Sequence, residues 1–191
     1  MTKAYQDAPL AKKEIDNYAQ SIASKYNGAV AKAPLKDRKK VIFNINNKYK
    51  GDLSRVSDIA RNTIIVDKPS ITKVFKELES GKNYFGGKFV DPTKDPLGYS
   101  GYNTKFIASN GHISEIQINT PDMIYAKEPA KSAIGQLGMK VYNELNKRYN
   151  GTGGKGHLYY DDWSKALEKL DFELADKIAK ESSGYYAPFI K

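Results

Sequence analysis

Two carboxylates, Asp58 and Glu115, each sit against a short β-branched stretch of this 191-residue sequence. Glu115 lies within the alternating run 112–119 (HISEIQIN), and Asp58 shortly precedes 62–67 (NTIIVD). A carboxylate in mid-strand must be solvated in a cleft, paired or metal-bound, because burying it alone is expensive. Two acids at the ends of neighbouring strands can hold one Mg²⁺ together with substrate phosphates. An exposed glutamate on a wet sheet face and an aspartate that merely caps an element would read the same way in sequence.

The cations are concentrated near Asp58. Residues 32–61 hold nine basic side chains and three acids, a net of +6 out of +9 for the whole chain. Lys36, Arg38, Lys48, Arg55 and Arg61 lie in this stretch, which suits a polyanionic partner such as a nucleotide polyphosphate or RNA. A solvated helix face would have the same composition. Gly98-Tyr99-Ser100-Gly101-Tyr102 is a glycine-bounded aromatic loop, and Tyr99 could stack on a nucleobase or plug the edge of a core. Thr152–Gly156 (TGGKG) lacks P-loop spacing and reads as a hinge. His112 and His157 alone make no zinc site, and no nucleophile elbow is present.

Bulk composition narrows the classes further. The length suits one domain with a real core. Cysteine is absent, which excludes disulfides and thiolate metal sites. No apolar run is long enough to span a bilayer, and the polar start, Met1–Leu10, does not resemble a signal peptide. This fits action in a reducing cytosol and equally fits a secreted effector domain.

The elements that must position these groups follow from periodicity. Helical spacing predicts helices over 12–26 and 34–49, with a further helical turn within 52–60. Residues 62–67 read as a core strand, 69–79 as a helix and 84–90 as an edge strand, followed by a loop over 91–101. Tyr102–Ser109 and His112–Asn119 flank Asn110-Gly111, a strong hairpin signal. A two-residue turn there would pair Ala108 with Ile113 and Phe106 with Glu115. Glu115 and Gln117 would share a face with Phe106 and Ala108, opposite Ser114, Ile116 and Ile118. Helix is expected over 121–149 with a break at Pro129, and a final amphipathic helix over 161–182 with Trp163, Leu167, Leu170, Leu174 and Ile178 inward. The expected architecture is α+β: a mixed sheet flanked by helices, in one domain over 1–191.

In order and spacing, these pieces resemble the synthetase domain of the RelA/SpoT family. Residues 51–66 (GDLSRVSDIARNTIIV) resemble its segment in which an acid precedes a hydrophobic strand. Residues 98–103 (GYSGYN) resemble its acceptor loop, and 115–120 (EIQINT) its glutamate-containing strand. Met123 and Ala126 echo the helix that follows, and Leu35–Arg38 occupy the place of a basic ATP-binding helix. The match covers about 34–128, with the helical part 121–191 beyond it.

The resemblance implies a nucleotidyltransferase-like synthetase fold and transfer of the β,γ-pyrophosphate of ATP to a ribose hydroxyl. Asp58 would bind Mg²⁺, and Glu115 would share the metal or take the proton from the attacking hydroxyl. Lys36 and Arg38, with Lys48, Arg55 or Arg61, would hold ATP phosphates. Tyr99 would stack on the acceptor base, with Asn103 and Gln117 beside it. Asn103 and Asn119 stand where long-form members have His and Arg, so the acceptor stays open between guanosine and adenosine nucleotides and the 3′ end of tRNA. The short form resembles a small alarmone synthetase or a toxin domain of that type, for which an immunity protein would be a partner. A basic RNA-binding module that kept the fold would need the cations and Tyr99 but neither Asp58 nor Glu115.

Overall fold

Asn110 and Gly111 do reverse the chain, but through a three-residue turn. The computed structural model describes residues 2–48, 50–52 and 56–190. Ala108 donates its N–H to the His112 carbonyl at 2.9 Å, leaving Ser109, Asn110 and Gly111 in the turn. Gly111 adopts φ +79°, a left-handed conformation that closes turns of this length and that glycine tolerates. The extra residue shifts the expected register by one. Lys105, not Phe106, faces Glu115, while Phe106 faces Ser114 and Asn103 faces Gln117. Phe106 and Ala108 therefore do not share the face of Glu115, which is lined instead by Asn103, Lys105 and Gln117. The opposite face carries Thr104, Phe106, Ser114, Ile116 and Ile118, all buried.

The chain divides into two compact units. The first comprises the described parts of residues 1–88 and 102–118. It contains α1 (Thr2–Lys25), β1 (Ala29–Lys32), α2 (Arg38–Lys48), β2 (Arg61–Ile65) and α3 (Lys68–Glu79). It also holds most of β3 (Tyr84–Val90), β4 (Gly101–Ile107) and β5 (Ile113–Asn119). The strands form a mixed five-stranded sheet in the order β1-β2-β5-β4-β3. Helices α1 and α3 cover one sheet face, where Ile15, Ile22, Ile64, Val74, Leu78, Phe106, Ile116 and Ile118 form the core. Each such fully buried aliphatic side chain contributes roughly 1.5–3 kcal/mol relative to exposure.

Helix α1 begins ten residues before the expected start. Its N-terminal half buries Ala8 and Ala11, small side chains that an apolar-spacing reading underweights. Ala8 packs with Val41, Ile45, Val56 and Ile59, which fixes α1 against α2. Strand β1 was not anticipated; its four residues pair antiparallel with β2 and would be too short to read alone. Helix α2 starts at Arg38 rather than Pro34 because the Asp37 carboxylate accepts the Lys39 and Lys40 N–H groups, an N-cap. Of the helical turn expected within 52–60, residues 53–55 lie outside the described residues, and 56–60 are not helical.

The second unit comprises the described parts of residues 89–101 and 119–191. It contains α4 (Pro121–Lys127), α5 (Ala130–Leu137), α6 (Met139–Arg148), α7 (Gly156–Glu168) and α8 (Phe172–Ile190). Helix breaks fall at Pro129, as expected, and also at Gly138, where φ is +79°. The single helix expected over 161–182 is two helices. Leu170 takes φ +58°, and Asp171 starts α8 by accepting the Leu174 N–H. Leu170 and Leu174, expected inward, are 72% and 44% exposed. The unit is packed instead by Met123, Tyr125, Leu145, Tyr186 and Phe189. No helix among the described residues is long and apolar enough to cross a membrane.

Candidate active site

Glu115 and Asp58 are brought together by backbone pairing in the first unit. The Glu115 N–H donates to the Ala60 carbonyl at 3.0 Å, seating β5 beside the segment that carries Asp58. The Lys36 N–H donates to the Ile59 carbonyl at 2.9 Å, so the entry to α2 runs along the same segment. The Lys36 ammonium then pairs with Asp58 Oδ2, and both side chains are about four-fifths buried. Asp58 Oδ1 is buried and accepts no hydrogen bond from the described residues.

Glu115 is half-buried, and Gln117 Nε2 donates to its Oε1 at 2.7 Å. Its pKa is raised, first by loss of hydration and then by the Asp58 charge. The Gln117 hydrogen bond and the Arg61 and Lys36 charges oppose the shift without cancelling it. A carboxylate held towards its protonated form beside a second carboxylate is the usual setting for a proton acceptor. It is equally a place where a hard cation would relieve the repulsion between the two acids.

The donor set fits Mg²⁺, which takes one or two protein carboxylates and completes its shell with water and phosphate oxygens. Asp58 Oδ1 is an orphaned acceptor, and Glu115 has oxygen ligands to offer. Among the described residues no three His, Asp or Glu side chains cluster as a self-sufficient metal cage.

The remaining sequence candidates are distributed unevenly. Arg61 opens β2, half-buried, close enough to Glu115 to act on its charge. Arg38 is exposed at the start of α2, with its guanidinium 5.8 Å from the Tyr5 ring centroid. Arg55 and the side chain of Lys48 lie outside the described residues. Asn103 faces Gln117 across β4 and β5, and its Oδ1 is buried without a partner among the described residues.

Tyr99 belongs to the second unit, where the loop before β4 is tightly built. Asp95 Oδ1 accepts the Leu97 and Tyr99 N–H groups. Ser182 on α8 donates to the Leu97 carbonyl at 2.9 Å. Gly98 has φ +76°, and a Cβ there would lie 2.7 Å from the Ser183 Cα. The Tyr99 ring meets Tyr186 edge-on at 6.1 Å, has the Lys127 ammonium 5.7 Å from its centroid, and donates its hydroxyl to Asn119 Oδ1 at 2.8 Å. Sequence reasoning did not single out Asp95, Lys127, Ser182 or Tyr186. Asp95 was the findable one, since Asp-Pro-Leu-Gly is a turn signature. The others depend on long-range packing.

No family model matches the chain. It is 44% identical over 184 residues to the (p)ppApp synthetase toxin Tas1 of Pseudomonas aeruginosa (strain UCBPP-PA14), a match covering 96% of this chain and 41% of that protein. The chain thus spans less than half the length of this relative. In the crystal structure of the complex between the Type VI effector Tas1 and its immunity protein, the Tas1 chain matches with a TM-score of 0.84 at 42% identity, over 98% of this chain and 95% of that one. The small alarmone synthetase 1 of Bacillus subtilis matches with a TM-score of 0.53 at 17% identity, over 92% of this chain and 86% of that one, and shares the fold. With 42% identity over 95% of the chain in that crystal structure, this chain belongs to the RelA/SpoT-type alarmone synthetase family, together with Tas1.

Proposed function

We propose that this chain is a pyrophosphokinase that moves the β,γ-pyrophosphate of ATP onto a ribose hydroxyl of an adenosine nucleotide. The observation that carries the reading is the pairing of two carboxylates, Asp58 and Glu115, beside Lys36 and Arg61. A purely structural or RNA-binding surface needs the cations but not two acids forced together at an energetic cost. The adenosine acceptor is drawn from the (p)ppApp named for the 44% identical relative.

In this reading Asp58 and Glu115 would hold Mg²⁺, which when bound would neutralise charge on the donor phosphates. Lys36, Arg61 and Arg38 contact the triphosphate and disperse charge as it builds on the leaving group. Gln117 fixes the Glu115 carboxyl through its amide. Glu115 accepts the proton of the ribose hydroxyl, a role suited by a pKa moved towards neutrality. The hydroxyl oxygen bonds to the β-phosphorus, the bond to the α,β-bridging oxygen breaks, and AMP leaves. Tyr99 carries the acceptor base by stacking.

By the same likeness, the biological role is that of a toxin domain acting in the cytoplasm of a target cell, with an immunity protein as partner. The relative in the solved complex is a Type VI effector bound to its immunity protein. The test is to incubate the protein with γ-labelled ATP, Mg²⁺ and AMP, ADP, ATP, GDP, GTP or tRNA in turn, and to separate the products. Label should appear on the adenosine acceptors with release of AMP. No label on any acceptor would rule the reading out, and label confined to tRNA would replace it.

A further inference from the structure

Asn119 is the last residue of β5 and belongs, like Tyr99, to the second unit. Its side chain is wholly buried. Oδ1 accepts the Tyr99 hydroxyl hydrogen at 2.8 Å, whereas Nδ2 is buried and has no hydrogen-bond partner among the described residues. The Tyr99 hydroxyl orients the amide: with the O–H donating, the carboxamide oxygen faces the phenol and the NH₂ group faces away from it. Tyr99 cannot readily yield this position, because Asp95 holds its N–H and Tyr186 abuts its ring. A buried donor left without an acceptor is unfavourable, and such groups are rare in folded proteins. It is a feature expected where a ligand supplies the missing acceptor.

We infer that Asn119 is a specificity-determining residue for the acceptor base, donating from Nδ2 to a ring nitrogen of a purine held on Tyr99. The inference rests on the reading of Tyr99 as the stacking ring. The oriented amide offers two complementary groups: the NH₂ donor and the second lone pair of Oδ1. Adenine presents a ring-nitrogen acceptor next to the N6 amino donor, and asparagine pairs with that combination bidentately. On guanine the same positions carry O6, an acceptor, beside N7, so an amide with its oxygen fixed by Tyr99 meets one acceptor with another. The chemical class selected is an adenine nucleotide.

The experiment measures ADP, its 1-deaza, 3-deaza and 7-deaza analogues, and GDP against the wild-type chain, Asn119→Asp and Tyr99→Phe. Binding is read by calorimetry with the donor site filled by a non-hydrolysable ATP analogue, and acceptor and ATP KM values are taken in parallel. In the wild type, one deaza analogue should bind about tenfold more weakly than ADP, the effect of one lost hydrogen bond. Asn119→Asp keeps an oxygen for the Tyr99 hydroxyl but loses the donor. It should weaken ADP by a similar factor, erase the penalty for that one analogue and leave the ATP KM unchanged. Tyr99→Phe, which frees the amide to rotate, should narrow the preference for ADP over GDP. Equal binding of all three deaza analogues by the wild type overturns the inference without any mutant. So does an Asn119→Asp chain that still discriminates among them, or one that shifts ATP and acceptor alike. A wild type that binds and transfers to ADP and binds the three analogues equally removes only Asn119, whereas one that binds no purine nucleotide removes the proposed function as well.

Discussion

The Lys36 ammonium and the Asp58 carboxylate are paired across 22 residues of sequence, with about a fifth of each side chain exposed. The proposed donor site is therefore already neutralised in part by one of its own cations. An incoming triphosphate with its metal would exchange for this pair rather than enter a bare acidic site. Lys36→Ala should raise the ATP KM about tenfold, and the effect should persist in high salt because the pair is poorly screened where it is buried. Arg38→Ala, at an exposed position over Tyr5, should have a smaller effect that fades with salt. Steady-state kinetics at two ionic strengths check both. An unchanged ATP KM in both variants would remove the basic segment from the donor site.

Asp58→Asn should cut turnover by at least about a hundredfold, since the substitution removes a hard anionic ligand and the partner of Lys36. It should also act on its neighbour. Asp58 helps hold the Glu115 pKa up, so the Glu115 carboxyl should titrate at lower pH in the variant. NMR titration of the labelled side chain with metal removed reads this directly. An unmoved Glu115 would show that the two acids are not coupled.

Gly98→Ala tests the loop that carries Tyr99. The residue has positive φ, and the added Cβ would press on the Ser183 backbone. Such strain typically costs about 1–3 kcal/mol. Thermal unfolding should fall by several degrees, and the acceptor KM should rise more than the ATP KM. Equal changes in the two would place the damage in the fold as a whole.

Much of the first unit was legible in the sequence because its signals are local. The Asp67 cap with Pro69 started α3 where expected, and alternation put Ile116 and Ile118 inside. The hairpin register was not legible. Asn110-Gly111 suits both two-residue and three-residue turns, and the choice rests on Ser109, whose N–H is taken by Glu14 of α1, 95 positions away. The Glu115–Gln117 face survived that error because alternation within β5 does not depend on its partner strand. The surroundings of Tyr99 were least legible. Ser182, Tyr186 and Lys127 meet Tyr99 or its loop through packing of α8 and α4, and the break before α8, at Leu170, depends on a single residue of positive φ.

Glu128 should give the chain an acid-sensitive element. Burial alone would raise its pKa, but the His157 and Ser132 hydrogen bonds and the Lys127 charge bring it down to about 2. A depressed carboxylate pKa contributes stability that is present above the unfolded value of 4.5 and is lost as pH falls towards 2. Glu128→Gln should therefore lower the unfolding temperature at pH 6 and show a shallower decline between pH 4.5 and 2. Parallel stability curves for the two proteins would refute the assignment.

Glu115 separates an enzyme from a binding module, and activity and stability should move in opposite directions there. Its raised pKa means that the folded chain holds a proton on Glu115 over a pH range in which the unfolded chain has released it. The folded state binds more protons in that window, so stability conferred by the neutral form is full below the unfolded pKa and is lost as pH rises through the folded one. Catalysis needs the opposite form, because only the carboxylate can accept the ribose proton. Turnover should thus climb through the same window in which metal-free stability declines. Glu115→Gln keeps the shape and can retain a hydrogen bond with Gln117 while removing charge and basicity. Loss of a general base costs typically 10²–10⁴-fold, so turnover should fall at least a hundredfold with nucleotide binding mostly retained. In chelator at pH 7 the same variant should melt at a higher temperature than the wild type, since an amide beside Asp58 relieves the repulsion between two acids. An exposed, idle glutamate would change activity less than about twofold and leave the melting temperature nearly where it was. Turnover and melting temperature measured on one purified variant, across pH 5 to 8, distinguish the two cases.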